Sequence, residues 1–385
     1  MFAKQYLQTA THLIEQYALQ QPLALYLKAY FKHNKHFGSR DRRYIADLVY
    51  QYYRLGPQTS GRASQQLILL AALSSDKFPL SFFEKLAPEL CHYLPLPAAK
   101  RRKVLAQEYG LRYTMDLAYS HALTAQEYQE YLWGQPQVFI RFSPEHFSLI
   151  KQRLGFHKIA HQVHSNACIS MERESKLSEI LPANLYRIQD ISSQKTGLYF
   201  EPHKKERWWD CCAASGGKSL LLLDKNVPIE LTVSDVRPQI LHALEERLAR
   251  YGYSKSYTPL CLDLTKPLPE SLGLFDQIIC DAPCSGSGTW ARSPEQYYFF
   301  SAEKRAYFQH LQLQLSSNVA QRLKPGGTMY YITCSALKDE NEAVVDMLCE
   351  QHGLRCVQQE LINHSQVGGD ILYMAVLKRF LLNAL

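Results

Sequence analysis

The sequence predicts an α/β protein in which a doubly wound parallel sheet is preceded by a small α+β region and an all-α N-terminal domain. Three observations lead there. From Arg207 onward, apolar runs of strand length alternate with stretches of helical periodicity, the pattern of a sheet with helices on both faces. Residues 1 to about 125 place apolar side chains at three- and four-residue intervals, as in Tyr44, Ile45, Leu48, Val49 and Tyr52. The stretch between mixes both patterns. At a prior of roughly 150 residues per domain, 385 residues make two or three domains, and three are expected, over 1–125, 126–205 and 206–385.

Taken in order, Gly56-Pro57 and the Pro95 to Pro97 stretch punctuate the N-terminal helices. In the middle region, Val138–Phe142 reads as a strand, Pro144–Leu154 as a short helix, and Ala167–Ser170 as another strand. Further strands are expected at Arg207–Cys212, Glu230–Ser234, Tyr257–Leu262, Phe275–Cys280, Thr328–Thr333, Arg355–Gln359 and Ile371–Leu377. Helices are expected at Lys218–Leu223, Pro238–Tyr251, Ala302–Leu323 and Glu340–His352.

Composition narrows the class. With 46% hydrophobic and 21% charged residues the chain has ample material for a large core. Its longest apolar run, Leu67 to Leu73, falls far short of the roughly 20 residues a membrane span needs. Polar Lys4, Gln5, Gln8 and His12 break any signal-peptide core, so a cytoplasmic location is expected. Ten cysteines lie scattered, without disulfide-framework spacing or paired CxxC units, and no metal site is expected. The net charge of +7 is uneven: residues 28–54 carry Lys28, Lys32, Lys35, Arg40, Arg42, Arg43 and Arg54 against Asp41 and Asp47. Lys100-Arg101-Arg102-Lys103 is a second basic cluster. Either fits phosphate binding, and either could be a solvated helix face.

Chemistry concentrates in the C-terminal half. Trp208 to Ser219 runs from a strand through Cys212-Ala213-Ala214-Ser215-Gly216-Gly217-Lys218 into a helix. Glycines there let a backbone approach a ligand at the carboxyl ends of the strands. A triphosphate loop would need glycine at 212, where this chain has cysteine. Asp235 ends the next strand, 19 residues after Gly216, where a carboxylate can accept hydrogen bonds from ribose hydroxyls. Asp263 ends the strand after that and could face an adenine amino group. Singly, each aspartate reads as a cap or turn residue; beside a glycine loop, the two together favour a nucleoside-type cofactor.

The next strand ends in Asp281-Ala282-Pro283-Cys284-Ser285-Gly286, and a neighbouring one in Thr333-Cys334-Ser335. A cysteine at one strand end is commonly structural. Two, each in a turn on the cofactor side of the sheet, favour function.

Residues 137 to 380 resemble the Nop/Sun family of RNA cytosine-C5 methyltransferases, which includes bacterial ribosomal enzymes. The resemblance is carried by Gln189-Asp190-Ile191-Ser192-Ser193-Gln194, the glycine loop, Asp281 to Gly286, Lys324-Pro325-Gly326-Gly327, Thr333-Cys334-Ser335, Glu340-Asn341-Glu342 and Gly368-Gly369-Asp370. Ser39-Arg40-Asp41-Arg42, Leu48-Val49-Tyr50 and Arg54 are similar, more weakly, to a NusB-like RNA-binding domain. Ser215, Ser219, Ile240 and Ile371 depart from the family's proline, threonine, arginine and glycine.

The resemblance implies a Rossmann-like catalytic domain using S-adenosylmethionine, held by residues 212–218 with Asp235, Asp263 and Asp281. It assigns attack on carbon 6 of the cytosine to Cys334, hydrogen bonding of the base's N3/N4 edge to Asp281, and product release to Cys284. Lys218 is expected to touch the base and help Cys334 ionise. The expected partner is RNA, ribosomal before transfer RNA, and the expected state a monomer. Two competing readings are a DNA-type enzyme attacking through Cys284 and a catalytically silent RNA-binding assembly factor. The Thr-Cys-Ser site weighs against the first, and the intact Lys218, Asp281, Cys284 and Cys334 set against the second.

Overall fold

The structure is a computed structural model that describes residues 3–57, 64–113, 115–172, 177–254 and 256–380. It divides into two compact units. The first comprises Met1–Leu117, Leu123–Gly134 and Trp290–Ser301; the second comprises Ala118–Ala122, Gln135–Thr289 and Ala302–Leu385. The helical unit thus takes in 123–134, past the boundary expected at 125, and a segment, 290–301, that the strand–helix alternation had assigned to the catalytic region.

In the helical unit, helix Ala3–Gln16 buries Tyr6, Leu7, Ala10, Leu13 and Ile14, one stripe at three- and four-residue spacing. Ser39–Arg54 buries Ile45, Leu48, Val49, Tyr52 and Tyr53 against it. Helix Gln65–Leu73 is buried nearly throughout and is capped by Ser64, whose hydroxyl accepts the Leu67 N–H at 3.0 Å. The 290–301 segment is part of this core. Trp290 and Tyr297 are fully buried, and the Leu23 N–H donates to Glu295 at 3.3 Å.

Several cations of the basic clusters are structural. Arg54 is buried, and its guanidinium donates to the carbonyls of Leu132 and, at 2.7 Å, Ala291. Arg101 donates to the carbonyls of Leu73, Ser75 and Leu96 at 2.6–2.9 Å, and Arg102 pairs with Glu130 at 2.7 Å over the Trp133 ring. The reading of residues 100–103 as a four-cation phosphate patch is therefore corrected. The Arg101 guanidinium is taken up by loop carbonyls and that of Arg102 by Glu130, and only Lys100 and Lys103 are exposed. Lys28, Lys32, Lys35, Arg40 and Arg43 do stand exposed.

The second unit carries two sheets. A small antiparallel one has the order β2-β3-β1-β4, from β1 (Val138–Arg141), β2 (Gln162–Ser165), β3 (Cys168–Met171) and β4 (Arg187–Ile188). The large one is built from β5 (Arg207–Asp210), β6 (Glu230–Asp235), β7 (Thr258–Cys261), β8 (Phe275–Asp281), β9 (Leu323–Thr333), β10 (Leu354–Asn363) and β11 (Ile371–Arg379). Its order is β10-β11-β9-β8-β5-β6-β7. Each expected strand and helix is present within a few residues, but the sheet is mixed. β10 and β11 form an antiparallel hairpin, and β11 runs antiparallel to β9. The connection His364–Asp370 is too short for the crossover that parallel neighbours need. The short β2 and β4, with few apolar residues, were not anticipated. Among the described residues no helix is long and apolar enough to cross a membrane.

Replacing Arg54 by Met should leave the Leu132 and Ala291 carbonyls buried without donors. Urea unfolding of the full chain should show a loss of about 2–4 kcal/mol; a change under about 1 kcal/mol would mean that those carbonyls find other donors.

Candidate functional site

At the end of β5 the chain turns through Cys211–Gly216 into helix Gly217–Leu223. Ala214 and Gly216 adopt left-handed φ values of 45° and 80°, a conformation that small side chains tolerate best. The turn is anchored on both sides, since Cys211 and Ala213 donate N–H bonds of 2.9 Å to Ile279 of β8 and Ser234 of β6. Ser219 donates to Asp210 at 2.6 Å. Only a hydroxyl is used there, so serine in place of threonine loses nothing.

A cavity of about 400 Å³ opens at the carboxyl ends of β5, β6 and β8, where the strand order reverses direction and doubly wound folds bind ligands. Five of the expected cofactor residues line it: Cys212, Ala214, Asp235, Asp263 and Asp281. Ala213, Ser215, Gly216, Gly217 and Lys218 do not. Ala213 and Gly216 close the turn at 2.8 Å; Ser215 faces Arg247 at 2.9 Å; the Gly217 carbonyl accepts from Gln189 at 3.2 Å. Asp263 lies two residues beyond β7 and holds its own turn through the Thr265 N–H at 3.0 Å and hydroxyl at 2.6 Å. It is both a turn residue and a cavity residue.

Sequence reasoning missed Arg237 and the cavity's apolar wall. Arg237 grips Asp235 with its backbone N–H, Nε and Nη2 at 2.9–3.0 Å. Burial pushes the Asp235 carboxyl up, but these bonds outweigh it and the net shift is downward. Tyr307, Leu311 and Leu315 line the opposite side from helix Ala302–Ala320. Their spacing of four puts them on one helix face, a signal present in the sequence. Two acidic groups at strand ends, apolar walls and this volume fit an adenine nucleoside.

The expected catalytic residues come together beside that cavity. Lys218 is buried, and its Nζ lies 2.9 Å from Asp281 Oδ2 and 3.2 Å from Ser193 Oγ. Burial alone would lower the Lys218 pKa, and Asp281 more than offsets it, so the net shift is upward. Cys334 is half-buried, and its thiol is pushed up to about 12, by burial first and Asp281 second, against the lowering influence of Lys218. Lys218, expected to help this thiol ionise, favours the thiolate but is itself paired with Asp281. The half-buried Cys284 thiol is also raised, by burial and then by Cys334.

Motifs distant in sequence lock both cysteine loops. Gly288 donates its N–H to the Cys334 carbonyl at 2.8 Å, and a Cβ at Gly288 would stand 1.8 Å from the Ile371 carbonyl. Glu340 is fully buried and accepts from Ser285 N–H at 3.0 Å and hydroxyl at 2.8 Å, holding the residue after Cys284. Asn341 donates to the Ser335 carbonyl at 2.9 Å and accepts from Thr333, on either side of Cys334. Glu342 accepts from Ser120 at 3.1 Å. The sequence showed these three residues as a motif without roles; the structure gives each one. Among the described residues no group of three or more His, Cys, Asp or Glu is placed to hold a metal ion.

The large sheet with its flanking helices is Rossmann-like in architecture. Over its whole length the chain superposes on a protein described as PH0851, with TM-score 0.70 and 17% identity, covering 97% of this chain and 98% of that one. It also superposes on NSun6 from Pyrococcus horikoshii with SFG, with TM-score 0.55 and 16% identity, covering 66% and 93%. Residues 197–380 match the family model described as 16S rRNA methyltransferase RsmB/F. Ribosomal RNA small subunit methyltransferase B of Pasteurella multocida is 33% identical over 165 residues, 41% of this chain and 36% of that protein. The chain spans between 36% and 57% of the length of the curated relatives compared.

Asp210 generates a pH prediction. It is fully buried at the end of β5, its Oδ1 makes no hydrogen bond, and burial raises its carboxyl to about 7. An unfolded chain releases this proton near pH 4, so the folded state holds the extra proton between about 4 and 7. Stability therefore falls as pH rises through that window and levels off above it. Asp210→Asn should flatten the dependence and, at pH 8, raise unfolding free energy by up to about 4 kcal/mol. Parallel urea titrations of both proteins at pH 5 and pH 8 would reveal this; identical slopes would contradict the burial of a protonated acid.

Proposed function

We propose that the chain methylates carbon 5 of a cytosine in ribosomal RNA, using S-adenosylmethionine as donor and Cys334 as nucleophile. The observation that carries this is the convergence of the Cys334 loop, the Cys284 loop and the Lys218–Asp281 pair beside a nucleoside-sized cavity. The small-subunit ribosomal RNA methyltransferases among its relatives support the choice of RNA.

Carbon 5 of cytosine is too weak a nucleophile to take a methyl group unaided. When Cys334 sulfur bonds to carbon 6, the thiol loses its proton, N3 of the ring takes one up, and the carbon 5–carbon 6 electrons shift to an enamine with a nucleophilic carbon 5. Asp235 and Asp263 would hold S-adenosylmethionine, whose positively charged sulfur would supply the methyl group to carbon 5. The Asp281 carboxylate accepts from the N4–H and the protonated N3 of the base and stabilises the positive charge that these groups share. Cys284 then assists loss of the carbon-5 proton, and the Cys334–carbon 6 bond breaks to release the product.

The resting electrostatics fit this order. A thiol pushed up to about 12 is protonated at pH 7, so free enzyme is protected from adventitious reaction. A base that engages Asp281 draws that carboxylate from Lys218, whose charge then turns to Cys334. The silent-assembly-factor reading has no use for so complete a set.

Variants separate the cysteines. Cys334→Ala should form no covalent RNA adduct and lose methyl transfer by at least about a thousandfold, while binding S-adenosylmethionine normally by calorimetry. Cys284→Ala should couple but resolve slowly, leaving a heavier band on a denaturing gel. The reverse pattern sinks the assignment and points to DNA-type attack through Cys284.

The exposed N-terminal cations are assigned to RNA phosphates. Arg40→Ala with Arg43→Ala should lower the slope of log affinity against log salt by about one to two, with donor binding unchanged. An unaltered slope returns these side chains to a solvated helix face.

A further inference from the structure

A second cavity, of about 480 Å³, lies in the unit that holds the candidate active site and belongs to none of the chemistry above. We infer that it receives one nucleotide of the RNA substrate, next to the cytosine that is methylated, with the base on its apolar floor and the phosphate at its cationic rim. This rests on the RNA-methylating reading and names a further contact of that substrate.

Position is the first argument. Helix Ile191–Thr196 separates the two sites. Ser193 on this helix meets Lys218 Nζ at 3.2 Å, while Ile191, Gln194 and Lys195 line the second cavity. Helix Gly217–Leu223 behaves likewise, with Lys218 at the active site and Leu221 at the cavity. The cavity therefore sits about one helix width, on the order of 10 Å, from the catalytic lysine. A nucleotide next to a cytosine held against Lys218 is within reach of it.

Chemistry is the second. Leu198 lines the cavity with 73% of its surface exposed, an unusual placement for leucine and a suitable platform for a flat base. Two imidazoles, His164 and His364, also line it. Each is fixed through one nitrogen, to Ser170 and Ser192 respectively at 2.8 Å, which leaves its other nitrogen for a base edge. Burial lowers both imidazole pKa values, so at neutral pH each is uncharged and able to donate or accept.

Charge is the third. Arg141, Lys195 and Lys225 line the cavity, with Lys195 paired to Glu360, and Asp224 is the one acidic lining residue. Asp224 is shared between Arg141 and Arg187, and one terminal nitrogen of Arg141 makes no hydrogen bond. The lining is cationic on balance, complementary to a phosphate, and apolar at its floor, complementary to a base. Single-stranded RNA presents that pair of features at every nucleotide.

The test uses the full-length protein and an in vitro transcript of small-subunit ribosomal RNA. A photo-crosslinking p-benzoylphenylalanine in place of Leu198 should attach to a nucleotide beside the methylated cytosine. Lys225→Glu combined with Leu198→Gln should raise KM for the transcript by about tenfold and leave kcat within about twofold. S-adenosylmethionine affinity should not move. An absent or distant crosslink, together with an unchanged KM in an enzyme whose wild type methylates the transcript, overturns the cavity assignment alone. A wild type that transfers no methyl group to RNA overturns the functional reading, and the cavity assignment with it.

Discussion

The parallel pairing of β8 with β9 is the constraint from which the site follows. Asp281 stands opposite Ile332 in that register, so the turns that leave both strands emerge on the same side of the sheet. The register continues past the strands, with Ala282 N–H on Ile332 and Gly288 N–H on Cys334, both at 2.8 Å. A slip of one residue would send each side chain to the opposite face and separate Asp281 from Lys218. The requirement for glycine at 288 comes from the same place, because the backbone of Ile371 already occupies the space of a Cβ. The β10–β11 hairpin, which makes the sheet mixed, is therefore also what presses Ile371 against the Cys284 loop.

The electrostatic arrangement depends on that frame. Lys218 and Asp281 are held 2.9 Å apart with the lysine almost fully enclosed. Such a pair gives up much of its Coulomb energy to desolvation and is a poor source of stability for its cost. Its value lies in what it controls: while Asp281 is occupied by Lys218, burial dominates Cys334 and the thiol stays protonated. Glu340 and Asn341 keep the two cysteine loops in place with bonds to Ser285 and Ser335 rather than to the thiols.

Much of this was legible in the sequence. Strands such as Phe275–Asp281 and Ile371–Arg379 are apolar runs bounded by turn residues, and their positions follow from pattern alone. The strand-end residues Asp235, Asp281 and Cys334 could be found because a doubly wound sheet gathers its carboxyl ends on one side. The residues that escaped notice are those whose meaning depends on a distant partner. Arg101 and Arg102 look like surface cations until the Leu73, Ser75 and Leu96 carbonyls are seen to consume Arg101. Residues 290–301 follow a catalytic turn in sequence but bury Trp290 and Tyr297 in a helical core, which no local periodicity announces. Glu340 reads as a polar motif residue until Ser285, 55 positions away, supplies the reason for its burial.

The claim that Cys334 is the group that bonds to the base admits one direct measurement. RNA carrying 5-fluorocytidine cannot lose the carbon-5 substituent as a proton, so the covalent species persists on the wild-type enzyme. Protease and nuclease digestion followed by mass spectrometry then identifies the modified peptide. The account predicts the nucleotide on the peptide that contains Cys334. A nucleotide on the peptide containing Cys284 would contradict it.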